Sequence, residues 1–129
     1  MRERRNYTRY NIEGKAIIKD DQANSILADG SLINISYGGF SINTQTPLEI
    51  EKPVSFELTT DLATSPLKGK GRVKNVSNTP WHGISYFRVG IEFVDVDRID
   101  VLGLMDLAHK HLLSRKTHPQ KKQDFLGPY

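Results

Sequence analysis

Short segments in which apolar and polar residues alternate run through most of the chain. In residues 11–19, Ile12, Ala16 and Ile18 fall on one face of an extended segment and charged residues fall on the other. This two-residue period is typical of a half-buried strand. Residues 31–36 and 40–44 predict two more strands around a glycine turn, after a polar, turn-rich segment at 20–30. Three further strands are predicted at 54–59, 70–76 and 86–94, which are rich in β-branched and aromatic residues.

The periodicity changes after the sixth predicted strand. Apolar positions that recur every three or four residues predict an α-helix over about 99–114, with Asp97 as its N-cap. The apolar face of this helix is expected to consist of Val101, Met105, Ala108 and Leu112. Successive short strands without helices between them favour an antiparallel barrel or sandwich over a parallel α/β sheet. The expected fold is therefore mainly β with one C-terminal helix.

Composition limits the chain to one domain and a few kinds of site. The 129 residues are 37% hydrophobic, which is enough for one modest core. No run of about 18 apolar residues is present to cross a bilayer, and the basic start lacks the apolar stretch of a secretory signal, so a cytoplasmic protein is predicted. The absence of cysteine excludes disulfides and thiolate chemistry.

Positive charge is concentrated at the two ends of the chain. Three of the 18 Lys and Arg residues lie within residues 2–5, and five more lie within 110–122. Like charges that are gathered in this way favour an anionic partner, such as a phosphate ligand, a nucleic acid or an acidic protein surface. A solvated terminus is the alternative explanation of each basic run.

The first motif with ligand chemistry is the arginine pair Arg5 and Arg9, with Arg4 directly before it. In an extended segment, two arginines four positions apart can both turn toward one ligand. Each offers a planar fork that matches phosphate oxygens or the O6 and N7 edge of guanine. Arginine pairs at this spacing are also frequent by chance.

The second motif is Asn34-Ile-Ser36-Tyr-Gly-Gly39, at the end of one predicted strand and the start of the next. Alternation places Asn34 and Ser36 on one face, with Ile33 and Ile35 toward the core. The glycines permit positive φ and a close approach of the main chain to a ligand. An ordinary β-turn, in which Asn and Ser bond their own backbone, is the structural alternative.

Taken in order, the two motifs resemble those of the PilZ domain, a bacterial receptor module for cyclic di-GMP. The closing strand Val89-Gly-Ile-Glu-Phe-Val and the helix after it are also similar to the end of that family. The resemblance covers roughly residues 4–113. It implies a six-stranded antiparallel β-barrel with a C-terminal α-helix, and an N-terminal arm that folds over ligand on the barrel surface.

The resemblance also implies roles for individual residues. Arg5 and Arg9 match the two family arginines and would engage phosphates and guanine. The remaining matches are Asn34 at the Asp-or-Asn position, Ser36 at the serine and Gly39 at the glycine. Arg4 occupies the position associated with binding a stacked pair of ligands, so an intercalated dimer of cyclic di-GMP is expected at each site.

The resemblance implies a non-catalytic receptor that changes conformation on binding and regulates an unidentified effector protein in motility, secretion or polysaccharide output. No cofactor or metal is expected, because the histidines and aspartates lack catalytic or ligating spacing. The predicted organisation is an arm at 1–10, a barrel with its helix at 11–115 and a flexible tail at 116–129. A small nucleic-acid-binding barrel and a PilZ-like adaptor that binds no nucleotide are the alternatives.

Overall fold

The computed structural model describes the backbone of residues 8–117 and the side chains of residues 8–114. The elements in chain order are β1 (Tyr10–Asp20), β2 (Ile26–Ile35), β3 (Gly39–Thr44), β4 (Pro53–Thr59), β5 (Leu67–Asn78), β6 (Phe87–Val96) and α1 (Arg98–Thr117). All paired strands are antiparallel, and the sheet closes on itself in the order β1-β2-β3-β6-β5-β4. The predicted six-stranded antiparallel barrel with a C-terminal helix is confirmed.

The interior of the barrel is filled by the inward face of every strand. Ile12, Ala16 and Ile18 of β1 are 4%, 0% and 0% exposed, as their alternation predicted. Phe40, Phe56 and Phe93 meet at the centre, with ring centroids 4.9 to 5.7 Å apart. Aromatic rings at such separations add favourable edge and offset contacts to the burial of apolar area. The core is therefore held by residues from both halves of the chain.

Strand β2 begins earlier than the sequence pattern predicts. The segment at 20–30 was expected to be turn-rich throughout, yet Lys19 pairs with Ile26 and the strand continues from there. The turn itself is confined to a few residues, where Asp20 Oδ1 accepts from the backbone N–H groups of Gln22 and Ala23 at 2.8 and 3.1 Å. Pairing with β1 extends β2 through Ala28, Asp29 and Gly30, which have little strand preference of their own.

A β-bulge interrupts the alternation of β2 just before the second motif. Leu32 pairs with Ile42 of β3, but the next pair joins Asn34 to Ser41, so Ile33 has no direct partner on β3. Leu32 and Ile35 are buried in the core, whereas Ile33 is only half-buried. The prediction that Ile33 and Ile35 both face the core is therefore wrong for Ile33, because an extra residue in one strand shifts the side-chain direction.

Helix α1 starts at the predicted cap and covers one end of the barrel. Asp97 Oδ1 accepts from the backbone N–H of Ile99 at 2.9 Å, which satisfies one of the unpaired donors of the first turn. Val101, Leu104 and Ala108 are buried, and Met105 packs against the core. Leu112, which the periodicity placed on this face, is 37% exposed. Within residues 8–117, no helix is long and apolar enough to cross a membrane.

Candidate ligand-binding site

An open cavity of about 540 Å³ lies where the turn between β2 and β3 meets β5, β6 and the start of α1. The described residues that line it are Arg9, Ser36, Tyr37, Gly38, Gly39, Phe40, Ser41, Lys74, Asn75, Arg88, Gly90, Ile91, Glu92, Phe93 and Arg98. The cavity therefore combines part of both sequence motifs with residues from the second half of the chain.

Arg9 and Asn34 join the two motifs directly. Arg9 immediately precedes β1, and β1 pairs with β2 so that Asn11 lies opposite Asn34. This register brings the Arg9 side chain over the end of β2, where its Nη1 donates to Asn34 Oδ1 at 3.3 Å. Asn34 is 7% exposed, whereas Arg9 is exposed. Arg4 and Arg5 lie outside the described residues.

Ser36 closes the turn between β2 and β3. Its backbone N–H donates to the Gly39 carbonyl oxygen at 2.8 Å, and its hydroxyl donates to the same oxygen at 3.3 Å. The Ser36 hydroxyl also accepts from the Gly38 N–H at 3.3 Å. Ser36 is 3% exposed, so its hydroxyl holds the shape of the turn in this conformation. This is the arrangement of the β-turn alternative, in which a serine bonds its own backbone.

Gly39 has a packing role that the sequence interpretation did not foresee. Among the described glycines, positive φ occurs at Gly83, so the positive φ that glycine permits is not used at Gly38 or Gly39. A Cβ at Gly39 would instead overlap the carbonyl oxygen of Ile91 on β6. The close approach seen at Gly39 is between two strands, and it brings β6 against the motif turn.

Arg98 fixes the same turn from the other side. Its Nη1 donates to the Tyr37 carbonyl oxygen at 2.8 Å. Its guanidinium lies 5.0 Å from the centroid of the Tyr37 ring and 5.8 Å from that of Phe93. Cations at these distances are attracted to the ring face. The first residue of α1 is thus bonded to the centre of the second motif.

The cavity has an excess of positive charge. Its described lining contains four cationic side chains, Arg9, Lys74, Arg88 and Arg98, and the carboxylate of Glu92. Lys74 is already paired, because its Nζ lies 2.9 Å from Glu51 Oε2. The hydrogen bond from Lys74 lowers the pKa of the Glu51 carboxyl, with a smaller contribution from Arg72. The remaining excess suits an anion with hydrogen-bonding edges.

Four of the cavity residues, Lys74, Asn75, Arg88 and Arg98, were not singled out from the sequence. They lie on β5, β6 and α1, far along the chain from either motif, and only strand register brings them to the cavity. The available sequence signal was weak. Lys74 and Arg88 fall on the polar side of alternating strands, where a solvated charge is the ordinary occupant.

Comparison with known proteins identifies the family. The PilZ domain family model matches residues 3–108 of the chain. The chain therefore belongs to the PilZ domain family, whose members are receptor and adaptor domains rather than enzymes. No curated protein matches the chain in sequence.

Three solved structures share the fold. The PilZ domain of YcgR from Escherichia coli, solved with c-di-GMP, has a TM-score of 0.72 at 15% identity, covering 89% of this chain and 98% of that one. The Bacillus subtilis inhibitor of motility MotI/DgrA has a TM-score of 0.67 at 13% identity, covering 84% and 51%. MrkH of K. pneumonia in its apo state has a TM-score of 0.62 at 18% identity, covering 95% and 53%. The chain thus spans about half the length of MotI and MrkH.

Proposed function

We propose that this protein is a receptor for cyclic di-GMP that regulates a partner protein. The observation that carries the proposal is the contact between Asn34 and Arg9, one residue from each motif, of which Arg9 lines the cavity. A guanidinium and an amide in contact offer donors for phosphate or guanine beside an acceptor for guanine N–H groups. The likeness to a YcgR domain solved with c-di-GMP supports the same ligand.

The proposed roles follow the chemistry of each side chain. Arg5 and Arg9 bind phosphate oxygens and guanine, and Asn34 accepts from a guanine N–H. The bond between Arg9 and Asn34 is long, at 3.3 Å, and the two groups exchange it for bonds to the ligand. Ser36 and Gly39 contribute the shape of the turn against which the nucleotide rests.

The proposed stoichiometry is two ligands in each site, as an intercalated dimer. Arg4 precedes the arginine pair in the sequence, where its planar guanidinium can stack on or bond to a second guanine. The cavity of about 540 Å³ is open to solvent, so a stacked pair can extend out of it along the barrel surface.

The proposed output is a change in the surface that the domain shows to an effector protein. Ligand contacts both the arm at 1–10 and the barrel at 11–115, so it favours the arrangement in which the arm is closed. The effector belongs to motility, secretion or polysaccharide synthesis in a bacterial cytoplasm. Residues 116 and 117 of the predicted flexible tail belong to α1, and residues 118–129 lie outside the described residues.

Isothermal titration of cyclic di-GMP into the full chain tests the proposal, with GTP and a single-stranded oligonucleotide as competing ligands. We expect saturable binding that is selective for the cyclic dinucleotide. Arg9→Ala should weaken it by about tenfold or more, since hydrogen bonds to charged groups contribute about 1.5 to 3 kcal/mol. Arg72→Ala is the matched control, because Arg72 is exposed on β5 and does not line the cavity.

Two results would contradict the proposal. Equal loss of binding in both arginine variants, together with tight and salt-sensitive oligonucleotide binding, would support a nucleic-acid-binding barrel. No binding of any nucleotide by a folded wild type would support an adaptor that acts through protein contacts alone.

A further inference from the structure

Four strands place one residue each in a single row across the outside of the barrel. Asn34 of β2 lies opposite Ser41 of β3, Ser41 lies opposite Gly90 of β6, and Gly90 lies opposite Asn75 of β5. Neighbouring strands are about 4.8 Å apart, so the row is about 14 Å long. It begins at the second motif and ends well beyond it, on the opposite half of the chain.

The row lies on the outer face because its flanking residues point inward. Ile42 after Ser41 is 0% exposed, and Val89 and Ile91 on either side of Gly90 are 0% and 2% exposed. Since successive side chains alternate across a strand, Ser41 and Gly90 must face outward. Ser41, Gly90 and Asn75 all line the cavity beside the motif turn. These three residues therefore form the floor of that cavity, and Asn34, bonded to the lining residue Arg9, lies beside its edge.

Gly90 leaves a gap in the floor, and the side chain of Asn75 fills it. A Cβ at Gly90 would lie 2.8 Å from Asn75 Oδ1 and 2.9 Å from Asn75 Nδ2. The Asn75 amide thus lies across β6, where any larger residue would displace it. A glycine in a strand often marks such a close approach. The amide presents a donor and an acceptor at the far end of the row from Asn34.

Charged groups flank this second amide on β6. Arg88 and Glu92 are each two residues from Gly90, so they share its outward face, and both line the cavity. In the part of the chain that the structure describes, no ion pair engages Arg88. Arg88 can donate a planar fork to phosphate or guanine, and Glu92 can accept from guanine N–H groups.

We propose that Asn75 and Arg88 form a second purine subsite, which holds the second cyclic di-GMP of the pair. The inference rests on the proposed function and extends it. Outward-pointing amides recognise the edges of bases, so the bases stand on the sheet and stack along the row. A stack of four bases is about 10 Å thick at about 3.4 Å per step, which fits the 14 Å row with an amide near each end.

Three substitutions on the full chain test the subsite by titration with cyclic di-GMP. Asn75→Ala and Arg88→Gln remove the proposed contacts. Gly90→Ala removes no side chain that contacts ligand, but its Cβ displaces the exposed Asn75 amide. Controls that keep the same chemistry outside the cavity are Asn78→Ala at the end of β5 and Arg72→Gln. Thermal unfolding of each variant separates a loss of binding from a loss of folding.

We expect the wild type and both controls to bind two ligands per chain. The three substitutions should weaken the second binding event by about tenfold or abolish it, while the first persists. In the double variant, Gly90→Ala should add little to the loss of affinity caused by Asn75→Ala, because each substitution takes the Asn75 amide away from the ligand. Non-additive losses of affinity with unchanged unfolding temperatures would show that Gly90→Ala acts by displacing the Asn75 amide.

Failure of this inference is distinguishable from failure of the proposed function. A wild type that binds one ligand, or folded variants that bind two with unchanged affinity, would overturn the second subsite and leave the receptor intact. A wild type that binds no cyclic di-GMP would overturn both.

Discussion

Arg98 and Tyr37 connect the first turn of α1 to the turn between β2 and β3. The guanidinium donates to the Tyr37 carbonyl oxygen at 2.8 Å and stacks on the Tyr37 ring at 5.0 Å. Since Tyr37 lies between Ser36 and Gly38 of the second motif, these contacts join that motif to the start of the helix. The lining of the proposed ligand site is thereby bonded to α1.

Loss of the Arg98 contacts should destabilise the barrel. We expect Arg98→Ala to lower the free energy of unfolding by about 1 to 2 kcal/mol, because the hydrogen bond and the ring contact are both lost. Arg98→Lys keeps the charge but not the planar fork, so its free energy of unfolding should lie between those of Arg98→Ala and the wild type. Urea unfolding measures the difference. An alanine variant as stable as the wild type would mean that this connection contributes nothing to folding.

Gly39 and Gly103 should respond in opposite ways to alanine. A Cβ at Gly39 would overlap the backbone of β6, which cannot shift without disturbing strand pairing. Gly39→Ala should therefore lower the free energy of unfolding by about 2 kcal/mol or more. A Cβ at Gly103, on the exposed side of α1, meets nothing within 4 Å. Gly103→Ala should therefore raise the free energy of unfolding by up to about 1 kcal/mol. Thermal and urea unfolding of the pair check both signs. Weak ligand binding by Gly39→Ala with wild-type stability would instead indicate a direct ligand contact.

The N-cap of α1 gives a third stability prediction. Asp97→Ala removes the acceptor for the Ile99 N–H and should cost about 1 kcal/mol. Asp95→Ala removes the same charge from an exposed position of β6, before the helix begins, and should cost less. Chemical denaturation of the two variants makes the comparison. Equal losses would mean that charge near the helix start, rather than the capping bond, stabilises α1.

Asp20 should make stability depend on pH in the acid range. Hydrogen bonds from the backbone N–H groups of Gln22 and Ala23, and then from Lys52, lower the pKa of its carboxyl. A carboxyl with a lowered folded-state pKa stabilises the protein above its unfolded-state pKa, and this contribution is lost as pH falls through the folded-state value. The stability difference between wild type and Asp20→Asn should therefore narrow between pH 7 and pH 3.

Lys52→Met separates the causes of that dependence. This substitution removes the hydrogen bond from Lys52 to Asp20 and leaves the two backbone hydrogen bonds in place. Most of the stability difference between a protein with Asp20 and the Asp20→Asn variant should therefore remain. Urea midpoints measured across the pH range provide the test. A gap between wild type and Asp20→Asn that stays constant with pH would show that the lost stability comes from the turn geometry alone.

Asn34→Asp should strengthen binding of the cyclic dinucleotide. A carboxylate accepts from two guanine donors with full charge, which suggests a gain of about tenfold in affinity. Asn43→Asp adds the same charge at an exposed position of β3 outside the cavity lining and should give no gain. Titration of both variants decides the matter. Weaker binding by Asn34→Asp would indicate that the carboxylate holds Arg9 too firmly for exchange with ligand.

The strands could be predicted from the sequence wherever alternation was clear. Strand β1 and the helix cap at Asp97 were found in this way, because each depends on residues close together in the chain. The start of β2 was missed because pairing with β1 extends it through Ala28, Asp29 and Gly30, which have little strand preference of their own. The direction of Ile33 was missed because a bulge depends on how two strands align, and alternation within one strand carries no information on that alignment.

In the candidate site too, residues in short motifs could be predicted, and residues that depend on strand alignment could not. Arg9 and Asn34 were recognised as parts of short motifs, and the structure brings them within 3.3 Å. Arg98 and Asn75 were missed because ordinary positions on a helix and a strand become part of the cavity only through the register of the closed barrel. Short-range spacing could indicate the turn, but it could not indicate which distant strand lies beside it.

The pairing of β3 with β6 has a consequence for when the receptor can act. These strands lie in opposite halves of the chain, and contacts between such distant segments form late because loop closure costs entropy. A nascent chain that has not yet released β6 from the ribosome lacks Gly90 and the strand that joins Asn75 to Ser41. Under the proposed function, cyclic di-GMP would therefore bind only chains in which β6 has paired with β3, and its binding would protect those chains from unfolding and proteolysis.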